Sequence, residues 1–583
     1  MKYKQRVISE GGVDVGNWVI KKPDSDLIDE YIGRGFTEKQ ASILANRGIT
    51  PEESRDFCFA GLNQLNDPYK MREMPMAIEI IKYHIDNGNR IAIYGDYDAD
   101  GITGSAVLYK ALQDMGADVV YRLPVRSSEG YGMHELGIRD LFAQNVKLII
   151  TVDNGIKCQR EIDLAHELGM MVVVTDHHDC PEKLPAADAI INPQRSDETY
   201  PFKHLAGCGI AFKLAQVIYM EYGLPIEFSY RFLPLVAIGT VADCVPLLDE
   251  NRIIVREGLK LLNRETEFRG LEELKKVLQL EEIDWTTLGF FIGPAINAIG
   301  RLEDADLALE LFLVENSLKA KLIANRLQDL NKERQKITEE TMEEIERIID
   351  ENELLKDKVL VAYEPSIPEG IVGLVAGRLT EKYNKPAIVI TKGEDCFKAS
   401  CRSIEGFHML KALEDSHEFL IKFGGHSQAA GFSMEADIAI VEEFRMHINE
   451  YANNILKEDD MVRCIEIDGV LEPHEVDMKL VESLRELGPY GEGFPEPVFL
   501  IQNFRINKVI TMGKANNHLK LKGGYNDAVA FSMVDKYMDM GQPDLVDIVA
   551  VPTRNVFRGW ASAQLDVKDF KPSLSLLNTS TLK

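Results

Sequence analysis

The sequence predicts an α/β protein built on a parallel sheet, and three patterns support this fold class. Between residues 76 and 250, apolar strands such as RIAIYG, VKLIITVD and MVVVTD alternate with helical segments. Continuous apolar strands separated by helices are typical of parallel sheets that are covered on both faces. A long helical segment and a second α/β segment follow, and the chain then changes to short strands with turn signals.

At 583 residues the chain is too long for a single hydrophobic core, so several domains are expected. We predict six segments: an N-terminal helical segment at 1–75, a parallel-sheet domain at 76–250, a helical region with a long connecting helix at 251–355, a second α/β domain at 356–455, a β-barrel of the oligonucleotide-binding (OB) type at 462–560 and a tail at 561–583. The sequence TPEES at 50–54 indicates a helix start. The connecting helix is expected to have Ser317 as its N-cap and to reach about Glu353.

The composition limits how this chain could bind other molecules. Its formal net charge of −28 argues against a protein that coats nucleic acid through bulk electrostatics. Any binding of nucleic acid must therefore use a local site. The first residues lack the apolar core of a secretory signal, and no stretch is long and uncharged enough to span a membrane. We therefore expect a cytoplasmic protein with no membrane partner, in which the eight scattered cysteines are reduced.

The segment DYDADG at 96–101 carries the strongest chemical signal, because it directly follows an apolar strand and directly precedes a helical segment. Its three acids are Asp96, Asp98 and Asp100. The spacing resembles a calcium-binding loop, but such a loop requires Glu at the twelfth position, which is Val107 here. It would also follow a helix rather than a strand, so a calcium loop is disfavoured.

Two later strands also end in acids, since one runs into Asp153 and the other into Asp176-His177-His178. In an open parallel sheet, ligands bind outside the carboxyl ends of the strands, so these segments are expected to meet at one edge. Carboxylates in close proximity repel each other, and divalent cations relieve this repulsion. Oxygen ligands with one imidazole suit Mn²⁺ or Mg²⁺, which predicts two such ions about 3.5–4 Å apart and hydrolysis at phosphorus.

Asp243 follows an apolar helical run in the segment AIGTVADCVPLL, and metal ligation would account for an acid at that place. Alternative roles stay open for the single residues. Each acid taken alone could cap a helix or form a turn, Asp243 could end a helix, and His177 and His178 could be core histidines. The complete set favours a metal centre.

In this order, the motifs DYDADG, VDNG, DHH, GTVAD and FGGHSQAAG resemble those of the DHH phosphoesterase superfamily, and within it those of the RecJ-like group. The stretches INAIGRL, GIVGLVAGRL, GPYGEGFPEPVF and NHLKLK extend the resemblance over about residues 75 to 560. RecJ-like proteins are single-strand-specific exonucleases that degrade DNA from the 5′ end with Mn²⁺ or Mg²⁺. The resemblance implies this activity here, together with a role in DNA repair or recombination and a second domain of the DHHA1 type.

The resemblance also implies a role for each residue of the predicted centre. Five side chains are implied as metal ligands, with the third as the bridge between the two ions: Asp96, Asp98, Asp153, His177 and Asp243. Asp176 and His178 are implied as close support that completes the catalytic set. Asp100 is expected to shape the loop rather than to bind metal.

Contacts with the strand are implied in three places. Next to the metals, the implied contacts are Arg126, Tyr131 in the loop SSEGYGM, Asn297 and Arg301. On the 5′ side, in the second domain, they are Arg402, Gly424, Gly425 and His426. In the barrel, a local basic platform is expected from Lys514, His518, Lys520 and Lys522. The alternative for Arg301 is a solvated helix residue, and that for the glycine-rich segment is a tight turn without a ligand.

The chain departs from the usual RecJ-like pattern at three positions, where Pro368 stands for a His, Ala295 for an Arg and Phe494 for an Asn. The first two concern binding of the strand end, and the third concerns the packing of a loop. None of them concerns the metal ligands, so the implied metal chemistry is unaffected.

Two other functions stay open. One is a DHH-family phosphodiesterase of short oligonucleotides or cyclic dinucleotides, and the other is a catalytically inactive scaffold for replication or repair proteins. A pyrophosphatase is disfavoured because Ala92 stands where such relatives supply a further His ligand. The expected partner is single-stranded DNA engaged at its 5′ end, with a helicase or a single-strand-binding protein as candidate protein partners. We expect a monomer.

Overall fold

The computed structural model describes residues 18–125, 129–513, 516–557 and 559–573. The chain forms two compact units, of which one contains residues 64–461 and the other contains both ends of the chain, up to Asn63 and from Val462. The six predicted segments are a finer division than these two units and, apart from the start of the tail, stay a prediction. In the described residues, no helix combines the length and the apolar character that crossing a membrane requires.

The first described residues form one short strand and three helices: β1 at Trp18–Ile20, α1 at Ser25–Gly33, α2 at Glu38–Asn46 and α3 at Pro51–Phe59. The hydroxyl of Thr50 accepts a hydrogen bond from the N–H of Glu53 at 3.3 Å. The carboxylate of Glu53 accepts one from the N–H of Thr50, also at 3.3 Å. This reciprocal cap confirms the helix start predicted from TPEES.

Residues 74–191 form a five-stranded sheet with helices between its strands: α4 at Met74–Asp86, β2 at Arg90–Tyr94, α5 at Ala99–Asp114, β3 at Val119–Arg122, α6 at Glu135–Ala143, β4 at Val146–Thr151, α7 at Gln159–Glu167, β5 at Met171–Thr175 and β6 at Ala189–Ile191. The strand order is β3-β2-β4-β5-β6, and all neighbours are parallel. The predicted parallel sheet is confirmed. Because β2, β4 and β5 are neighbours, their carboxyl ends lie side by side.

A group of helices follows this sheet: α8 at Gly207–Glu221, α9 at Leu233–Ala242, α10 at Asp249–Leu262 and α11 at Arg269–Val277. Helices α8 and α9 pack against α5 and are buried over most of their length, which accounts for their apolar sequences. The next segment consists of short pieces: α12 at Trp285–Thr287, a π-helical turn at Leu288–Ile292, α13 at Gly293–Asn297, α14 at Ile299–Leu302 and α15 at Asp306–Leu313.

The predicted long connecting helix is present as α16 at Ser317–Glu351. Its N-cap is Asn316, whose side-chain oxygen accepts a hydrogen bond from the N–H of Lys319 at 3.0 Å. The prediction that Ser317 is the cap was therefore wrong by one residue. Asn and Ser cap helices about equally well, so the sequence alone did not distinguish them.

The second α/β segment contains a mixed sheet: β7 at Leu360–Tyr363, α17 at Glu369–Tyr383, β8 at Ala387–Lys392, β9 at Phe397–Arg402, α18 at Met409–Asp415, β10 at Lys422–Gly425, β11 at Ala429–Met434 and α19 at Ile438–Ile455. The strand order is β10-β11-β9-β8-β7, in which only β7 and β8 are parallel. One apolar core lies between this sheet and α19, with Phe432 and Phe444 in contact.

The C-terminal residues form a seven-stranded sheet and three smaller elements: β12 at Ile465–Ile467, β13 at Gly469–Leu471, α20 at Met478–Arg485, β14 at Phe499–Arg505, β15 at Lys508–Met512, β16 at His518–Lys522, β17 at Asp527–Ala530, α21 at Val534–Asp539, β18 at Leu545–Phe557 and β19 at Trp560–Pro572. The strand order is β13-β14-β18-β19-β17-β16-β15, and β12 pairs with β1. Strand β19 occupies residues that the sequence analysis assigned to a tail, so that boundary is corrected. Its many polar residues concealed it. Residues 574–583 lie outside the described part.

The N-terminal helices and the C-terminal sheet form one unit through buried polar contacts. The indole N–H of Trp18 donates to the carboxylate of Asp569 at 2.8 Å. Arg47 donates to both carboxylate oxygens of Asp468, at 2.5 and 2.9 Å, and the Asp468 side chain is only 2% exposed. Such a two-fold contact fixes orientation as well as charge. The N-terminal segment therefore packs against the C-terminal sheet.

Candidate metal centre and strand-contacting residues

Three neighbouring strands deliver the predicted metal-binding segments to one edge of the first sheet. Strand β2 is followed by the DYDADG segment, β4 by Asp153 and β5 by Asp176-His177-His178. Ligand atoms come within 4.8 Å of one another in three overlapping groups: Asp96-Asp98-Asp153, Asp153-His177-His178 and Asp100-His177-Asp243. The structure therefore brings these segments together, as the order of the strands predicted. Asp153 and His177 each belong to two groups.

Asp153 and His177 form the middle of the cluster. Oδ1 of Asp153 lies 3.0 Å from Nε2 of His177, and Oδ2 of Asp243 lies 3.6 Å from the same nitrogen. Asp153 Oδ1 and His177 Nε2 are buried and close, but they are not aligned for a hydrogen bond, and neither has another such partner within the described ranges. Buried polar atoms in this situation are costly unless another group binds them. A divalent cation would satisfy both atoms.

Backbone N–H groups orient the acids of the DYDADG segment. Asp98 is the N-cap of α5, and its Oδ1 accepts hydrogen bonds from the N–H groups of Asp100 and Gly101 at 3.0 and 3.1 Å. The carboxylate of Asp100 faces the start of α8, where it accepts from the N–H groups of Gly207 and Cys208 at 2.6 and 2.8 Å. Both oxygens of Asp100 therefore accept hydrogen bonds, yet its carboxylate also belongs to one of the three ligand groups, so its role in shaping the loop stays a prediction.

Gly207 permits this close approach of α8, and sequence reasoning did not single it out. A Cβ atom on Gly207 would lie 2.6 Å from Cβ of Asp153 and 3.0 Å from Oδ2 of Asp100. Any larger residue would therefore push α8 away from the centre. The available signal was the glycine that opens the apolar helix in LAGCGIAFKLAQ. Gly207 thus sets the distance between the helix and two acids of the site.

Asp176 organises the turn that carries the two histidines. Its Oδ1 accepts from the N–H groups of His177 and His178 at 2.8 and 3.1 Å, and its Oδ2 accepts from the N–H of Ile156 at 2.9 Å. Nδ1 of His178 lies 2.8 Å from the same Oδ1. Both oxygens of Asp176 thus accept hydrogen bonds around this turn, and its implied role as close support stays a prediction.

Tyr131 connects this turn to the central acid. Its hydroxyl donates to the backbone carbonyl of Asp153 at 2.8 Å and lies 3.0 Å from Nδ1 of His178. About half of its side chain is exposed, at 46%. Tyr131 therefore lies beside the centre, where its exposed ring can meet a substrate.

Burial and mutual repulsion shift the pKa values of the acids in the cluster. Burial, followed by the negative charges of Asp100 and Asp98, raises the pKa of Asp153 well above its ordinary value. The same causes raise the pKa of Asp243. Without cations, the cluster therefore tends to take up protons, and bound cations would replace them.

The pKa values of the two histidines are shifted in opposite directions. Burial lowers the pKa of His177, which keeps its imidazole neutral and able to act as a ligand. Burial alone would also lower the pKa of His178, but its hydrogen bond with Asp176 raises it. His177 therefore suits metal binding, and His178 suits a contact with negative charge.

The donor set fits two divalent cations of the Mn²⁺ or Mg²⁺ type. It contains carboxylate oxygens and the imidazole nitrogens of His177 and His178, and no thiolate belongs to any of the three groups. Mn²⁺ and Mg²⁺ prefer oxygen ligands, and Mn²⁺ also accepts imidazole. The overlap at Asp153 is what a shared ligand between two ions requires.

The predicted strand contacts near the centre have structural partners of their own. The side-chain oxygen of Asn297 accepts a hydrogen bond from the N–H of Ala99 at 2.7 Å, directly after Asp98. Arg301 donates to the carbonyl of Gly370 at 2.9 Å, at the start of α17. Asn297 thus supports the metal-binding loop, and Arg301 joins two segments of this unit. Arg126 lies outside the described residues.

The glycine-rich segment of the second sheet faces the histidine turn. Nδ1 of His426 lies 3.1 Å from Oδ2 of Asp179, two residues after His177. Gly424 and Gly425 end strand β10 and are exposed. Arg402 donates to the hydroxyl of Ser400 at 3.3 Å and to the carbonyl of Cys401 at 2.8 Å. His426 therefore contacts a residue that closely follows the two histidines in the chain.

Two of the residues that depart from the RecJ-like pattern lie in this unit, one directly before a helix and one within a helix. Pro368 stands immediately before α17 as its N-cap, and Ala295 is fully buried in α13. Neither supplies a donor at the place where an imidazole or a guanidinium was expected.

The predicted basic platform of the C-terminal sheet is partly neutralised. Nζ of Lys522 and of Lys520 lie 2.6 and 3.4 Å from the same oxygen of Asp527. Nδ1 of His518 accepts from the N–H of Ser532 at 2.9 Å, and its ring lies 5.4 Å from that of the exposed Phe531. Lys514 lies outside the described residues. The platform offers aromatic rings as well as charge.

Three segments of the chain match known domain families. Residues 90–240 match the DHH family, N-terminal domain, residues 356–458 match the DHHA1 domain and residues 467–569 match the RecJ OB domain. The parallel sheet, the mixed sheet and the C-terminal sheet coincide with these three matches. The predicted fold class, including the C-terminal domain of OB type, is confirmed.

Similar proteins cover nearly the whole chain. The single-stranded-DNA-specific exonuclease RecJ of Bacillus subtilis (strain 168) is 36% identical over 562 residues, which is 95% of this chain and 70% of that protein. Two crystal structures of RecJ from Thermus thermophilus cover 95% of this chain. The complex with Mn²⁺ is 27% identical, with 79% of its chain covered and a TM-score of 0.80. The complex with Mg²⁺ is 26% identical, with 78% covered and a TM-score of 0.74.

Proposed function

This chain belongs to the RecJ family of DHH phosphoesterases, and from that premise we propose that it hydrolyses single-stranded DNA as an exonuclease acting from the 5′ end. It is a metal-dependent phosphodiester hydrolase of the single-strand-specific type. The observation that carries the assignment is the pair of buried atoms Asp153 Oδ1 and His177 Nε2, which lie 3.0 Å apart where three strands end. The direction of degradation and the residue roles are part of the proposal.

Five side chains would hold the two divalent cations: Asp96, Asp98, Asp153, His177 and Asp243. Asp153 would be shared, because its carboxylate belongs to two of the ligand groups. When bound, the cations supply Lewis-acid activation of water and of the scissile phosphate. The backbone N–H groups that hold Asp98 and Asp176 keep the carboxylates and the histidine turn in place before substrate arrives.

His178 and Tyr131 would act on the substrate beside the cations. The hydrogen bond with Asp176 favours the protonated form of His178, which can stabilise negative charge on the leaving oxygen. The hydroxyl of Tyr131 is committed to the carbonyl of Asp153, so its ring rather than its hydroxyl is directed to a substrate. Both side chains thus extend the centre without binding metal.

The second domain would hold the 5′ side of the strand. His426, Gly424 and Gly425 lie on an exposed segment that reaches the histidine turn through the contact with Asp179. Exposed backbone N–H groups in a glycine-rich segment are suited to phosphate oxygens. A phosphate held by this segment would bring the 5′ end of the strand to the histidine turn, which would favour attack near a strand end.

A digestion experiment with end-labelled single strands tests the activity and its direction. Wild-type protein with Mn²⁺ or Mg²⁺ should release a 5′ label as mononucleotides early, while a 3′ label should stay on long products. Asp98→Ala and His177→Ala should abolish release, and Asp140→Ala, an exposed acid on α6, should not. Early release of a 3′ label, or normal rates in either of the first two variants, would overturn the assignment.

The finer predictions about assembly belong to the same proposal. We infer a monomer that works beside a helicase or a single-strand-binding protein, since the strongly acidic chain suits protein partners better than bulk binding of DNA. Light scattering after size-exclusion chromatography measures the first point, and a dimer would contradict it. The predicted cytoplasmic location stays a prediction.

A further inference from the structure

Two consecutive phenylalanines are exposed on the π-helical turn at Leu288–Ile292. The side chains of Phe290 and Phe291 are 73% and 50% exposed, whereas Leu288 and Ile292 are fully buried. A π-helical turn contains one more residue than an α-helical turn, and such turns frequently occur at functional sites. Here the turn buries its two flanking apolar residues and leaves both aromatic rings in solvent.

This turn borders the metal centre on the side of Asp243. A Cβ atom on Gly289 would lie 3.7 Å from Cγ1 of Val241, and one on Gly293 would lie 3.0 Å from Cβ of Ala242. Val241 and Ala242 are the last residues of α9, directly before Asp243. The backbone that carries the two rings therefore packs on the segment that supplies a predicted ligand.

The same segment reaches the other side of the centre a few residues later. Asn297 accepts the N–H of Ala99, which follows Asp98 in the metal-binding loop. A Cβ atom on Gly300 would lie only 2.6 Å from the carbonyl oxygen of Tyr97. Residues 288–300 thus contact the segments of both Asp243 and Asp98, and the two exposed rings extend into solvent from this stretch.

The chemistry of this stretch suits nucleobases rather than phosphates. Ala295, in the next helical turn, is fully buried and offers no charge, and the whole chain has a net charge of −28. Stacking on aromatic rings contributes to the binding of single strands with little dependence on base sequence. A single exposed aromatic residue is common, whereas these two adjacent ones form a small apolar patch on a segment that packs beside the metal centre.

We propose that Phe290 and Phe291 form a stacking platform for the bases of a single strand held at the metal centre. This inference rests on the proposed function, because it takes single-stranded DNA as the substrate. The platform would hold the bases while the carboxylates and the histidine turn act on the backbone. It would disfavour a duplex, in which the faces of the bases are already stacked on one another.

Kinetics with matched variants and substrates test the platform. Phe290→Ala combined with Phe291→Ala should raise KM for a single strand about tenfold, as expected for lost base stacking, with kcat changed less than about twofold. The double replacement by Trp should retain the wild-type KM. Phe142→Ala is the control, since Phe142 is 46% exposed on α6, whose end precedes the start of β4 at the opposite edge of the sheet.

Substrates with abasic sites separate stacking from a change in folding. Wild-type protein should lose affinity when abasic residues replace the nucleotides nearest the cleaved bond, and the double Ala variant should show no further loss. Equal sensitivity of both proteins to abasic sites, or a wild-type KM in the Ala variant, would overturn the platform. If wild-type protein degrades no single strand at all, the proposed function fails instead.

A binding measurement covers the case in which the Ala variant does not fold. Phe291→Trp places an indole on the exposed position, and its fluorescence relative to wild type should be quenched by an oligonucleotide in the presence of EDTA. A matched oligomer of abasic residues should quench much less. Equal quenching by both oligomers, or no quenching by either one, would contradict base stacking at this position.

Discussion

The metal centre and the basic surface of the C-terminal sheet show two different ways of preparing groups for a nucleic acid. At the centre, Asp153 and Asp176 are almost fully buried and are positioned by strand ends and backbone N–H groups. On the C-terminal sheet, Lys520 and Lys522 are partly exposed and share one neighbour, Asp527. Buried side chains have little freedom to move, so their fixed positions determine which ligands the centre can bind. Exposed charges are screened and interchangeable, so each contributes little.

Removing the shared ligand should have the largest effect. Asp153→Asn should lower the nuclease rate by about a thousandfold or more, because the carboxylate at the middle of both ligand groups is lost. Single-turnover kinetics with excess Mn²⁺ measure the rate. Asp140→Asn, with the same change of charge on the exposed face of α6, is the control. A loss below about tenfold would place the centre of the site elsewhere.

Removing the cations should make the stability of the protein sensitive to pH. The pKa values of Asp153 and Asp243 are raised in the folded protein without metal, so the folded state retains their protons to a higher pH than the unfolded chain does. With EDTA, the free energy of unfolding should therefore fall as the pH rises above about 4.

Mn²⁺ at about 100 times its Kd should raise the free energy of unfolding by about 2.7 kcal/mol. This corresponds to roughly a hundredfold change in the equilibrium constant for folding. Thermal unfolding with EDTA or Mn²⁺ across this pH range measures both effects. Asp153→Asn should show a smaller dependence on pH in EDTA, because one of the two raised acids is absent. Identical pH dependence in the variant and the wild type would contradict the shared buried acid.

Removing the carboxylate that supports the histidine turn should lower the nuclease rate less than removing a metal ligand does. Asp176→Asn replaces one of the two accepting oxygens with an NH2 group, which donates hydrogen bonds and cannot accept those made there. The rate should fall about 10- to 100-fold through misplacement of His177 and His178. Metal affinity measured by titration should weaken in parallel. A variant with lower activity and unchanged metal affinity would instead assign Asp176 a direct role in catalysis.

The smallest effect is expected on the C-terminal sheet. Asp527→Asn releases two lysines from their shared carboxylate and should tighten binding of a long single strand about two- to fivefold at low salt, with a steeper dependence on salt. Fluorescence anisotropy at several salt concentrations measures this change. Asp535→Asn, an exposed acid on α21, carries the same change in charge. Equal tightening in both variants would mean that only net charge matters.

Sequence reasoning succeeded where the signal was local and repeated. Three apolar strands end in acids, and the carboxyl ends of neighbouring parallel strands must meet at one edge, so the pattern alone was enough to group Asp96, Asp153 and His177. It failed where local patterns were ambiguous. Asn316 and Ser317 are equally good caps, and the polar residues of β19 conceal a strand that its neighbours stabilise.

The sequence by itself determined the fold class, the segments that carry the metal ligands and the family of the chain. Only the tertiary structure decided how each acid is used, because hydrogen-bond partners come from residues far apart along the chain. Asp100 is bound by Gly207 and Cys208, more than one hundred positions away. The exposure of Phe290 and Phe291 was decided in the same way, since burial depends on which helices cover a turn and not on the turn alone.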